Sequence, residues 1–377
     1  MKIFRRILAS VFTFLILATA VPTGVSAFSG TSAHSAILIE AGGGDVIYES
    51  NADERLPMAS TTKIMTALCA IESRSLTDKV KVSPAAVGVE GSSVYLTAGE
   101  ELTMEDLLYA LMLQSANDAA AAIAIEVSGS IEAFAELMNA RARSLGLENT
   151  HFANPHGLDN EDHYTSAHDL AAITAAALKN ETFRTIVSTY KHTIPNSDGG
   201  VRVLVNHNRL LRTEDNVIGV KTGFTKRSGR CLVTAAERNG VTVIAVTLSD
   251  PDDWRDHAAM LEYGLESYVC CELADPGSLA FPVSVVGGEA AFVTASNRDA
   301  LSVCMNAGAA EPRRVVNLDR FIFAPVSAGD KLGYVEWFDE DGKSLGTVDL
   351  YAAETIPAHR TPGMWERITD FFSKEKS

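Results

Sequence analysis

The chain is short of positive charge. Lys and Arg number 32 against 48 Asp and Glu, a formal charge of −16 over 377 residues. A phosphate backbone selects for Lys- and Arg-rich surfaces, so the deficit excludes nucleic acid as a partner. Cysteine is also scarce. Cys69, Cys231, Cys270, Cys271 and Cys304 are odd in number and match no zinc or redox spacing. Cys69 and Cys231 fall in apolar periodic segments, where a small buried thiol is expected rather than a disulfide framework. Neither a Gly-x-Ser-x-Gly elbow nor a His-Glu-x-x-His pair is present, which argues against a Ser–His–Asp hydrolase and a zinc protease. His151, His156, His163 and His168 crowd together with Asp159, Asp162 and Asp169, but without metal-ligand spacing, so they are expected to order loops.

Long apolar runs are missing as well. Only the N-terminus comes close: Lys2, Arg5 and Arg6 precede an apolar stretch from Ile7 to Ala20, and Val25-Ser26-Ala27 supplies small residues for cleavage. That pattern predicts a secretory signal peptide over residues 1–27 rather than a bilayer span of about 20 residues. The protein is therefore expected outside the cytoplasm.

What is present sorts into three parts. Short apolar runs on either side of Gly42-Gly43-Gly44-Asp45 predict a hairpin. A helix is expected to open at Ser60, with Ile64, Met65, Leu68 and Ile71 on its buried face. Residues from about 104 to 180 carry Ala, Leu and Met at helical spacing. Strands are expected over 218–224, 230–236 and 241–248, the last two joined by Asn239-Gly240, followed by a helix from about Trp254 to Tyr268. Strands, a helical block and returning strands predict an α/β (α+β) catalytic domain over 28–270, an antiparallel sheet packed with helices and interrupted by a helical insertion. Short β-like runs punctuated by glycine predict a small all-β domain over 271–356. Residues 357–377 read as a linker and an amphipathic helix, with Met364, Trp365, Ile368, Phe371 and Phe372 on one face, a pattern suited to a membrane surface.

Three motifs carry the chemistry: Ser60-Thr61-Thr62-Lys63, Ser115-Ala116-Asn117 and Lys221-Thr222-Gly223. Only the last is rare by chance, expected in about one chain in ten of this length; their order is what counts. Ser60 and Lys63, three apart at a helix start, share a face. A serine hydroxyl needs a base, and lysine serves only if neutral near pH 7, about three units below its free pKa. Burial and a second cation, for which Lys221 is the candidate, both push it down. Ser115 can relay a proton to a leaving amine and Asn117 can bond a substrate amide. Lys221 and Thr222 suit a substrate carboxylate, and Gly223 leaves room for a ligand along the strand edge.

Together with the longer strings around these motifs, and with Asn149-Thr150-His151-Phe152-Ala153-Asn154-Pro155-His156-Gly157-Leu158, the chain resembles the low-molecular-weight penicillin-binding proteins that act as D-alanyl-D-alanine carboxypeptidases. The resemblance spans nearly the whole mature chain. It implies a serine β-lactamase/transpeptidase-like fold, no cofactor and no metal. By the same resemblance, Ser60 attacks the bond between two terminal D-alanines of a peptidoglycan stem peptide, Lys63 is the base and Ser115 assists the leaving group. The backbone N–H groups of Ser60 and Phe224 form the oxyanion hole, Lys221 and Thr222 hold the carboxylate, and β-lactams acylate the serine. It also implies a terminal helix attached to the outer face of the cytoplasmic membrane. Ala116 replaces a frequent glycine, and no residue securely matches the carboxylate-binding arginine some relatives place after the Lys-Thr-Gly hairpin; Arg255 is near but out of register. The rival activities are a D,D-endopeptidase and a β-lactamase.

Overall fold

The computed structural model describes residues 28–360. The expected leader, and residues 361–377 of the expected linker and amphipathic helix, lie outside the described residues. Two compact units emerge: residues up to Arg238 together with Thr242–Ser267, and Tyr268 onward together with Asn239–Val241.

In the first unit, β1 (Ser35–Glu40) and β2 (Val46–Ser50) form the expected antiparallel hairpin. Its turn is held by the Glu40 carboxylate, which accepts from the N–H groups of Gly42 and Gly43. The hairpins β3 (Lys79–Lys81)–β4 (Glu101–Thr103) and β5 (Lys191–Pro195)–β6 (Val201–Val205) flank most of the helical block. The second of these was not legible in the sequence, because only Ile194 is buried on β5 and the strand ends in proline. Three long strands follow: β7 (Val217–Thr225), β8 (Gly229–Arg238) and β9 (Val241–Leu248). The sheet order is β2-β1-β9-β8-β7. β1 pairs antiparallel with both β2 and β9, so the first and last strands in sequence meet at the centre and the helices are an insertion between them. This is the predicted α+β arrangement.

The helices are built to be buried. Lys63–Ser73 buries every residue from Lys63 to Ala70, which leaves little of it for solvent. Met104–Leu113 begins with a capping box: Thr103 Oγ1 accepts from Asp106 N and Asp106 Oδ2 accepts from Thr103 N, satisfying two end donors. The helix Asp253–Ser267 is pinned to the sheet by buried His257, whose two ring nitrogens meet Thr234 Oγ1 at 2.6 Å and Thr247 Oγ1 at 2.9 Å. β7 is left at the end of the sheet, where a ligand can approach it.

The second unit is all β, as expected. β10 (Tyr268–Ala274) pairs antiparallel with β13 (Leu301–Asn306), and Cys270 lies opposite Cys304, to which it is disulfide-bonded. The sequence offered no spacing that identifies this bridge; cross-strand register supplies it. Cys69 and Cys231 are buried free thiols, and burial pushes them up to about 12 and about 11. A six-stranded sheet completes the unit in the order β14 (Arg313–Leu318), β16 (Lys331–Phe338), β17 (Ser344–Ala352), β12 (Phe292–Asn297), β11 (Ala280–Val286) and β15 (Phe321–Phe323). Val283, Val293, Val335, Trp337 and Leu350 fill its core.

Candidate active site

The first motif sits on a single 3-10 turn, Ala59–Thr62, that leads directly into the helix Lys63–Ser73. A helix was expected from Ser60; the tighter turn aims the hydroxyl differently while keeping Ser60 and Lys63 together. Ala59 holds φ at 48°, a left-handed conformation that costs an L-residue about 1–2 kcal/mol. Neighbours hold it there. Thr62 Oγ1 donates to Ala59 O at 2.7 Å and meets His163 Nε2 at 2.7 Å, while His163 Nδ1 accepts from Ala153 N at 3.0 Å. An acceptor at Nδ1 places the imidazole proton on Nε2, so His163 donates to Thr62. Burial, then neighbouring His156, pushes this histidine down to about 3 and keeps it neutral.

Lys63 is fully buried, a rare position for a lysine. Its Nζ lies 3.0 Å from Ser60 Oγ, 2.7 Å from Asn117 Oδ1 and 2.5 Å from His156 O. Burial holds its pKa well below the ordinary lysine range, and the charge of Lys221 lowers it further, against a smaller opposing pull from Asp118. Lys221, buried on β7, is brought down to about 7 by burial and donates to Thr222 O at 2.9 Å.

The second motif bridges two helices. Met104–Leu113 ends, Ser115 takes a left-handed φ of 58°, and Asn117 opens the helix Asn117–Ser128. Asn117 was expected to bond a substrate amide; here its Oδ1 accepts from Lys63 and its Nδ2 donates to Glu90 O. Buried Asp118 accepts from Ser93 Oγ, Val94 N and Leu96 N, folding that loop so that its neighbour Ser92 reaches the site. Ser60, Ser115, Thr222, Gly223 and Phe224 all line one cleft of about 330 Å³. Gly223 is needed for a reason the sequence did not show. A Cβ there would stand 3.1 Å from both Ser60 N and Ala59 Cβ, so the glycine lets β7 close on the nucleophile turn itself.

This arrangement can form an acyl-serine: the Ser60 hydroxyl and the β7 residues Thr222, Gly223 and Phe224 line a cleft, and the buried Lys63 amine, with its lowered pKa, stands behind the hydroxyl. The family model for D-alanyl-D-alanine carboxypeptidase matches residues 22–252, and that for the C-terminal domain of penicillin-binding protein 5 matches residues 272–358. The chain belongs to the D-alanyl-D-alanine carboxypeptidase family. It is 32% identical to the D-alanyl-D-alanine carboxypeptidase DacF of Bacillus subtilis, over 97% of this chain and 100% of that protein. It is 31% identical to DacC of Escherichia coli, over 96% and 93%. Among solved structures, penicillin-binding protein 5 of Haemophilus influenzae superposes with a TM-score of 0.68 at 26% identity, over 89% of this chain and 100% of that one.

In this member of the family several cleft residues escaped the sequence reading. Arg230 on β8 lines the cleft directly opposite Phe224. Its Nη2 donates to Asp253 Oδ1 at 2.9 Å, and its guanidinium lies 5.7 Å from the ring centroid of Trp254. Arg209 approaches the same ring at 4.8 Å. Arg255 points elsewhere: it is 71% exposed and pairs with Asp252 and Asp256. His207 also lines the cleft; burial and then the Lys221 charge lower its pKa. Gly157, at φ 88°, packs so closely that a Cβ would fall 1.9 Å from Ala59 O. The clustered histidines tie loops together. His163 braces the turn, His151 Nδ1 meets Asp162 O, and His168 meets Asp53. Among the described residues no group of His, Cys, Asp and Glu is placed to hold a metal.

Proposed function

We propose that the chain hydrolyses the peptide bond between the two terminal D-alanines of peptidoglycan stem peptides through an acyl-enzyme on Ser60. The observation that carries this is the buried Lys63 amine, 3.0 Å from Ser60 Oγ and held below its ordinary pKa by burial and by Lys221. A neutral Lys63 takes the hydroxyl proton as Oγ attacks the carbonyl carbon. The developing oxyanion is met by the N–H groups of Ser60 and Phe224, on the turn and strand that Gly223 allows to touch. Ser115 passes the proton to the departing D-alanine amine, and water then releases the acyl group with Lys63 again as base. Asn117 holds Lys63 through Oδ1 and keeps a second Nδ2 proton, beyond the one given to Glu90 O, for a substrate amide carbonyl. Lys221, Thr222 and Arg230 form the seat for the substrate's terminal carboxylate: the bond to Asp253 engages one of the five guanidinium donors and fixes the plane of Arg230. β-Lactams, which carry an acyl carbonyl and a carboxylate, enter the same way. The leader sequence supports a location outside the cytoplasm, and the terminal amphipathic sequence supports attachment to the outer face of the cytoplasmic membrane. No described helix is long and apolar enough to cross it.

The test is incubation with a peptide ending in D-Ala-D-Ala and with labelled penicillin. D-Alanine release and a long-lived adduct on Ser60 are expected. Rapid penicillin turnover without D-alanine release would make the protein a β-lactamase instead, and release only from cross-linked dimers would make it an endopeptidase. Ser60→Ala should abolish labelling. Lys63→Ala should slow acylation about 10²–10⁴-fold, the usual contribution of a general base; labelling at the parent rate would remove lysine from that role.

A further inference from the structure

The second unit carries an aromatic face with no described occupant. Register places its residues on one side of the sheet. Ser284 of β11 lies opposite both Phe292 of β12 and Phe321 of β15, and Val286 lies opposite Phe323. Positions two apart on a strand share a face, so Phe292, Val286, Phe321 and Phe323 all project from the same side. The alternate positions Val283, Val285 and Val293 fill the core. The outward side chains are 58%, 46%, 52% and 69% exposed, and Phe321 and Phe323 meet edge to face with centroids 5.5 Å apart. An acidic, exported chain has no packing reason of its own to present three phenylalanines to water.

The chain leaves the unit beside this face. Gly288 bridges Ala358, Glu289 N donates to Pro357 O and His359 N donates to Gly287 O at 2.8 Å. The described chain thus ends against the turn that links Val286 to Phe292. Met364, the first apolar residue of the amphipathic sequence, follows Arg360 by four residues, a reach of at most about 14 Å. A surface entered at Met364 therefore lies within about that reach of the end of the described chain, which is tied to the β11–β12 turn. β15 is only three residues long, too short an edge to recruit a partner strand, so contact through the face is favoured over contact through the edge.

We infer that Phe292, Phe321 and Phe323, with Val286, form a second membrane contact that rests on the phospholipid interface beside the terminal segment. This builds on the proposed attachment through that segment. Aromatic rings are suited to the boundary between head groups and acyl chains, and an apolar contact needs no anionic lipid, which would repel a chain of formal charge −16. The second domain then takes part in binding the bilayer.

The experiment is co-sedimentation of the chain without its leader, residues 28–377, with phosphatidylcholine vesicles at low and high salt. It is repeated for Phe321→Ser/Phe323→Ser, for a chain stopped after Arg360, and for both changes together. The double substitution should weaken partitioning about tenfold in both backgrounds, with little response to salt. Because both side chains are exposed, penicillin labelling and the melting temperature should hold. Should the double variant fold poorly, Phe292→Ser on the neighbouring strand should weaken partitioning about threefold. Unchanged partitioning in these variants would overturn the inference. So would stronger binding by the shortened chain, which would mean that the tail covers the face, or loss of a vesicle-free dimer in the double variant, which would assign the face to a second copy. Equal binding by shortened and unshortened chains would overturn the tail anchor alone and leave the phenylalanine contact standing.

Discussion

Arg230 shows what a single side chain can decide. It follows Gly229 at the start of β8 and reaches the cleft because it is opposite Phe224, two residues beyond Thr222. In the sequence it is one arginine among many, and the nearby Arg255 is out of register for the role. Only strand pairing singles Arg230 out. Asp253 is buried and holds the guanidinium in one orientation, while Arg255 spends its charge on two aspartates of its own helix and the turn before it. If Arg230 meets the terminal carboxylate, Arg230→Ala should lower kcat/KM for the D-Ala-D-Ala peptide about 10–100-fold, mostly through KM, as expected for the loss of a charge-assisted hydrogen bond. Steady-state kinetics on the purified variant read this directly; unchanged KM would leave Lys221 and Thr222 to hold the carboxylate without it.

At the scale of elements, the reaction centre is a set of close approaches between segments far apart in sequence. The loop containing His156 and Gly157 presses on the nucleophile turn, supplying a carbonyl to Lys63 and clearance for Ala59 O. The string Asn154-Pro155-His156-Gly157 was visible in the sequence as part of a resemblance, but its purpose was not, because the contact spans 93 residues. The Ser60–Lys63 pair and the β7 strand were legible, since local periodicity and turn residues report them. The β5–β6 hairpin and the β10–β13 pair were not, since their strands are half exposed and their pairing is set by register. Gly157→Ala tests the close approach. A residue with a Cβ must leave φ 88° or displace the Ala59 carbonyl, so a loss of roughly 2 kcal/mol or more in a urea melt is expected, together with slower penicillin acylation at temperatures where the variant is folded. Gly129→Ala is the control: φ is 82° there, but nothing lies within 4 Å of the new Cβ, so it should cost about 1 kcal/mol and leave acylation alone. Equal acylation rates in the two variants would dismiss the loop as a brace for the nucleophile.

Over the whole molecule, buried neutral histidines tie stability to pH. His156 is held down to about 4, and His163 and His257 to about 3, with burial the leading cause in each. An unfolded histidine titrates near 6.5. Between those values the unfolded chain binds more protons than the folded one, so stability falls as pH drops from about 6.5 toward 3 and is fully present above that window. Denaturant melts at stepped pH should show this loss. His257→Gln should flatten the slope, since its imidazole joins β8, β9 and the last helix of the catalytic unit through two threonines. Part of the slope should remain with His156 and His163; a slope unchanged by the substitution would remove His257 from the account.

The three neighbours of Lys63 Nζ also bear on the second half of the proposed reaction. Ser60 Oγ, Asn117 Oδ1 and His156 O suit an ammonium with three N–H groups, and they suit equally a neutral amine that gives two and receives one from the serine. Once Oγ becomes an ester oxygen it can no longer give a proton and is a poor acceptor. The ammonium is then left with two good partners for three hydrogens in a dry site. In the proposed reaction the proton taken by Lys63 goes through Ser115 to the departing amine, and with Oγ esterified an ammonium would lack its third partner, so the acyl-enzyme favours the neutral lysine that the incoming water needs.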